Sequence, residues 1–140
     1  KFADRILGII YFEYLPKNKE ILWSGAISEL LGYDETQFRR YSVWDWMELI
    51  HPDDKQCFET ILKEDDHTQE AYENLYRVRH QSGRYVHVRN TVKTFFNLSI
   101  GEKVVIGMIN DISELKEAEE LSRKARLKRA TERMKELEGE

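Results

Sequence analysis

Cysteine is nearly missing from this chain: Cys57 is the only one among 140 residues. One thiol excludes an intrachain disulfide and a cage of thiolates around a metal, so stability has to come from packing. Proline occurs twice and glycine seven times, which excludes collagen-like and low-complexity architectures. No apolar run approaches the roughly 20 residues that a bilayer-spanning helix requires. The opening Lys1-Phe2-Ala3-Asp4 lacks the charged-then-apolar order of a secretory signal. These absences read as a soluble, cytoplasmic stretch with no membrane contact of its own, whatever anchor a parent protein carries. A basic excess is missing too: 22 Lys and Arg stand against 26 Asp and Glu, both signs interspersed, for a formal charge of -4. Nucleic acid is not an expected partner.

What is present is apolar bulk. Hydrophobic residues make up 41% and aromatics 11%, enough to fill one interior, and the length leaves no room for a second core of equal size. The β-branched and aromatic run Leu7 to Tyr14, the turn-forming Pro16-Lys17-Asn18-Lys19 and the short apolar Ile21-Leu22-Trp23 predict a hairpin. Ala26 to Tyr33 has helical spacing at Ile27, Leu30 and Leu31, with Gly32 as its stop. Asp34 suits the cap of a following helix, with Gln37 three residues on. Val43, Trp46, Met47 and Ile50 share one helical face before His51-Pro52 interrupts it, and a further helix begins at Pro52, with Phe58, Ile61 and Leu62 on its buried side.

Beyond a polar link, Ala71 to His80, Arg84 to Phe96 and Lys103 to Ile112 alternate as strands. The phases expected to face the core are Tyr72, Asn74, Tyr76 and Val78, then Val86, Val88, Asn90, Val92 and Phe96, then Val104, Ile106, Met108, Asn110 and Ile112. From Glu114 to Glu140 the composition turns to Glu, Lys, Arg, Ala and Leu, a long helix whose seam of Leu127, Ala130, Met134 and Leu137 follows coiled-coil spacing.

Two strands, several short helices, three antiparallel strands and a long helix form an order that resembles the PAS fold. Four motifs carry the resemblance: Leu30-Leu31-Gly32-Tyr33-Asp34, Ile50-His51-Pro52-Asp53-Asp54, the strand and turn Tyr76 to Gly83, and Gly107 to Ser113 with its Asp111-Ile112-Ser113. The branch with the His-Pro-Asp-Asp turn is the most similar. The resemblance implies an α+β fold: a five-stranded antiparallel sheet with short helices on one face, followed by a long helix of coiled-coil type. The expected divisions are a cap over residues 1–6, the PAS domain over 7–113 and a signalling helix over 114–140.

The implied function is a sensory relay in a multidomain signalling protein, such as a sensor histidine kinase or a cyclic-dinucleotide enzyme. It would form a homodimer and pass a signal to a downstream effector in the same chain. The alternatives are a constitutive interaction module and a sensor of flavin or another small ligand. A ligand pocket would be lined by Trp46, Phe58, Ile61, Tyr76, Val88, Asn90, Ile106, Met108 and Asn110. Signal coupling would run through Arg84, Asp111, Ile112 and Ser113, with Asp111 bonded to the hairpin near Arg84. The dimer would use Leu7, Ile9, Ile10, Val105, Ile109, Leu127, Met134 and Leu137.

No tightly bound cofactor is expected. Haem-binding members place an axial His on the helix that begins here near Pro52, and that stretch has no His after its start. Flavin photosensors carry Asn-Cys-Arg-Phe where this chain has Lys55-Gln56-Cys57-Phe58, although Asn90 and Asn110 resemble the amides that hold a flavin ring. His51, Asp53 and Asp54 are explained by a helix start, so no metal is expected. No nucleophile elbow, phosphate loop or helical metal motif occurs, and the stretch is not expected to be an enzyme.

Overall fold

The computed structural model describes residues 8–56 and 71–139. Expectations for Leu7, Cys57, Phe58, Ile61 and Leu62 lie outside the described residues. The opening apolar runs form a hairpin of β1 (Ile9–Leu15) and β2 (Glu20–Gly25). Three short helices follow, α1 (Ile27–Leu31), α2 (Glu35–Phe38) and α3 (Val43–Leu49), then a 3-10 turn over Pro52–Asp54. The later strands are β3 (Tyr72–Arg79), β4 (Tyr85–Asn97) and β5 (Glu102–Asp111), and α4 (Ser113–Glu138) closes the chain.

Local chemistry sets the helix boundaries. Asp34 accepts a hydrogen bond from the Gln37 amide at the start of α2. Ser42 and Asp45 form a reciprocal capping box at the start of α3, with the Ser42 amide donating to Asp45 at 2.8 Å and the Asp45 amide to Ser42 Oγ at 3.2 Å. Helix α1 ends at Gly32, whose φ of +77° is left-handed; a Cβ there would lie 2.7 Å from the His80 imidazole, so both backbone and space call for glycine.

The five strands form one sheet in the order β2-β1-β5-β4-β3, with every neighbouring pair antiparallel. Directly paired residues share a face. Val88, Asn90, Val92 and Thr94 of β4 stand opposite Asp111, Ile109, Gly107 and Val105 of β5, and Ile109, Gly107 and Val105 stand opposite Ile10, Phe12 and Tyr14 of β1. This face, with Trp23, Tyr76, Val78 and Val86, is buried against Ile27, Leu30, Leu31, Phe38, Trp46, Met47 and Ile50 of the helical layer.

Between Val105 and Asn110 the phase of the last strand is therefore the reverse of the expected one, while Val104 and Ile112 at its two ends are buried as expected. Ile109 is fully buried and Val105 packs against the core, while Ile106, Met108 and Asn110 lie half-exposed on the outer face. Alternation could not decide, because β5 is central and apolar in both phases. The register is decided by Gly107: its core side is filled by the Phe12 ring, which a Cβ would strike. Phe96 is also a correction. Although it continues the buried phase of β4, it is 50% exposed, because its pair with Lys103 lies past the point where β1 and β3 cease to flank the sheet.

The turn after α3 is tied to β3. The His51 amide donates to the Arg77 carbonyl at 2.8 Å, and Ile50 bridges Val78. Asp54 accepts from the Arg77 amide and, in fork geometry, from its guanidinium at 2.9 and 3.0 Å. That guanidinium holds the Asp54 carboxyl below the usual carboxylate range.

Candidate functional site

The interior of the fold is built from aromatics with one polar seam. Trp23 lies between Phe12, Phe38 and Trp46, with ring centroids 5.1 to 5.7 Å apart, and Trp46 meets Tyr76 edge-on at 6.3 Å. At this junction the Trp46 indole donates to the Tyr76 hydroxyl at 3.2 Å, and the Asn90 amide donates to the same oxygen at 3.1 Å. Burial pushes the Tyr76 phenol far above its ordinary value, so it stays neutral at any physiological pH. Asn90 Oδ1 and Thr94 Oγ1, four residues apart on the core face of β4, are buried with no hydrogen-bond partner among the described residues. The chemistry on offer is a pair of acceptors, one of them also a donor, in an apolar wall.

Trp46, Tyr76, Val88 and Asn90 thus share the buried interior as expected, whereas Ile106, Met108 and Asn110 point away from it and leave the candidate pocket. Sequence reasoning missed Thr94 and Phe38. Thr94 continues the same two-residue period as Val88, Asn90 and Val92, which was the available signal.

The second candidate region is the junction of sheet and last helix. The Ile112 amide donates to the His87 carbonyl at 2.9 Å, and the buried Ile112 side chain anchors the start of α4. Asp111 Oδ1 accepts from the Ser113 amide at 2.8 Å, an Asx-type turn across Ile112 that satisfies the first amide of α4, whose N-cap position, Ile112, has no side-chain cap. The expected hydrogen bond or ion pair from Asp111 to the hairpin near Arg84 is not formed among the described residues. Arg84 instead closes the β3–β4 hairpin through its carbonyl, which accepts from the His80 amide at 2.7 Å. The physical reason is register: Asp111 stands opposite Val88, four residues along β4 from Arg84.

The family model for the PAS fold matches residues 20–109, well over half of the chain. This chain belongs to the PAS family.

Solved PAS structures agree with the assignment. The N-terminal domain of a diguanylate cyclase with a PAS/PAC sensor from Marinobacter aquaeolei is 26% identical, with a TM-score of 0.65 over 77% of this chain and 98% of that one. A sensory box histidine kinase/response regulator from Burkholderia thailandensis is 22% identical, with a TM-score of 0.70 over 93% and 96%. The PAS-B domain of Cycle from Drosophila melanogaster, with bound ethylene glycol, reaches 0.59 at 15% identity over 73% and 98%. No curated protein matches this sequence.

The PAS domain also has an outer sheet face. There Tyr11, Glu13, Leu22, Ser24 and Ile106 border an open groove of about 420 Å³ across β2, β1 and β5. Of the residues expected at a dimer interface, Ile9 lies half-exposed on this face, but Ile10 and Ile109 are fully buried in the core and offer no surface. Leu127, Met134 and Leu137 are each at least 60% exposed along α4.

Proposed function

We propose that this PAS domain is the sensory relay of a multidomain signalling protein, that it dimerises, and that α4 carries changes in core packing to a downstream effector. The observation that carries the reading is the direct run of the central strand into α4 through Asp111, Ile112 and Ser113. A shift of β5 against the helical layer moves the start of α4, because Ile112 is both buried in the domain and bonded to β4. Helix α4 has 26 residues and buries none of them. Such a helix draws little stability from its own contacts, and a second copy covering Leu127, Ala130, Met134 and Leu137 supplies the missing apolar partner. The outer-face residues Ile9, Tyr11, Leu22 and Met108 extend this interface. The likeness to parts of a diguanylate cyclase and a histidine kinase supports the effector setting, and the reading assigns no catalytic residue.

Sedimentation equilibrium tests the dimer. The chain is expected to self-associate, and Leu127→Asp with Met134→Asp to weaken association about a hundredfold, since each change removes one apolar side chain from the seam. A chain that stays monomeric at its highest soluble concentration sinks the reading.

A second reading rests on the unpartnered Asn90 and Thr94 oxygens. A small elongated ligand with two hydrogen-bond donors, spanning the roughly 13 Å that four strand residues cover, satisfies both, which makes the domain a ligand sensor. The absorption spectrum and native mass of freshly purified protein check it: an added mass supports the sensor, and an empty chain supports the plain relay.

A further inference from the structure

Helix α4 carries a second set of apolar side chains, which the seam described above does not use. Leu115, Ala118, Leu121 and Ala125 are all exposed, Leu121 at 68%. At about 100° per residue these four form one stripe, and the stripe of Leu127, Ala130, Met134 and Leu137 is turned from it by roughly 140°. One straight partner helix covers one stripe and leaves the other bare. The residues of the first turns that the domain partly covers, Ser113 and Lys116, stand on the side of α4 opposite the first stripe. The first stripe therefore points away from its own domain, with room for a helix to run past the start of α4. Among the described residues no helix is long and apolar enough to cross a membrane, and α4 interleaves both stripes with charge.

Charge selects the partner. Residues 114–120 carry Glu114, Glu117, Glu119 and Glu120 with Lys116 as their one cation, and residues 123–129 carry Arg123, Lys124, Arg126, Lys128 and Arg129 with no acid. Two pairs form within the helix: Arg123 bonds Glu120 at 2.6 Å on the side away from the stripe, and Lys116 lies 4.0 Å from Glu119. Glu114, Glu117, Lys124, Arg126 and Lys128 form no ion pair among the described residues. Glu117, Lys124 and Lys128 flank the stripe on one edge, Glu119 and Arg126 on the other. A second copy laid parallel and in register sets opposite edges together, so Glu117 meets Glu119 while Lys124 and Lys128 meet Arg126, like against like. Laid antiparallel about a midpoint between Leu121 and Ser122, each edge meets its own reverse. Glu117 of one copy then lies between Lys124 and Lys128 of the other, Glu119 meets Arg126, Glu114 meets Arg129, and Ala118 faces Ala125. Further on, Glu132 comes level with Asp111 of the other copy, which ends the favourable overlap there.

We propose that the first half of α4 is a self-association surface on which a second copy of this chain packs its own residues 114–129 antiparallel. The inference stands apart from the seam through Leu127, Ala130, Met134 and Leu137. A copy on each stripe carries assembly past the dimer.

Disulfide trapping in the 140-residue chain carrying Cys57→Ser reads the orientation. Ala118→Cys mixed with Ala125→Cys is expected to give a mixed disulfide dimer. Each alone stays unlinked, because the two copies of residue 118 lie about 10 Å apart along the pair. Sedimentation equilibrium of the chain with Leu127→Asp and Met134→Asp isolates the first stripe. This variant still pairs, adding Leu121→Asp abolishes the pairing, and adding Glu117→Lys instead weakens it about tenfold, part of which Lys124→Glu recovers. Self-linking of Ala118→Cys alone, or no linking in the mixture, overturns the proposal. So does a Leu127→Asp, Met134→Asp chain that is monomeric at its highest soluble concentration, and a wild-type dimer then leaves the other seam standing. A wild-type dimer unmoved by Leu127→Asp and Met134→Asp but lost in Leu121→Asp supports the first stripe and sinks the other seam.

Discussion

The polar seam inside the domain turns on one oxygen. Tyr76 Oη receives both the Trp46 indole and the Asn90 amide, so Tyr76→Phe strands two buried donors. The expected cost is about 1–3 kcal/mol, read as a lower midpoint in urea with an unchanged slope. Asp54 gives a pH signature. Its folded-state pKa is held low by the hydrogen bonds from Arg77, so its contribution is complete above the ordinary carboxylate value of about 4 and is lost as pH falls through the folded value. His80 acts in the same direction: desolvation and then the charge of Arg84 depress its pKa, so stability drops as pH falls below about 6.5. Thermal melts from pH 3 to 8 should show both losses, and Asp54→Asn should flatten the lower one; an unchanged acid limb would rule out this assignment. Asn90 was legible at this scale as an amide in a buried phase. Gly107 was not, because a glycine announces a close approach without saying which ring makes it.

The elements divide by how many faces they bury. Helix α3 has one buried face, so its apolar spacing made it readable from sequence, although its capping box at Ser42 was not singled out, and β4 alternates cleanly from Val86 to Thr94. Ser42→Ala removes the oxygen that receives the Asp45 amide and should cost about 0.5–2 kcal/mol, measurable by chemical denaturation. Strand β5 is the contrary case. Apolar side chains stand in both of its phases, so only the register against β1 and β4 settled which side faces the core. The misplaced pocket and interface residues, Ile106, Met108, Asn110, Val105 and Ile109, all follow from that one strand, and Ile10 was lost from the interface because β1 turns the same face inward.

The molecule as a whole joins a firmly paired sheet to a helix that buries nothing of itself. Amide exchange should separate the two: slow exchange in β1, β5 and the paired part of β4, and fast exchange in α4. Protection of α4 should rise with protein concentration while that of the sheet stays constant; concentration-independent protection of α4 would count against a second copy as its cover. The strand order has one further consequence. Ile9 pairs with Asn110, so the segments that lead into and out of the sheet are neighbours on one seam. Whatever lies on either side in a longer protein is held side by side, as two ends of a cut cord are held by a knot. A domain with that property can be gained or removed within a chain while its flanking parts keep their spacing, which makes it a unit that evolution can transplant whole.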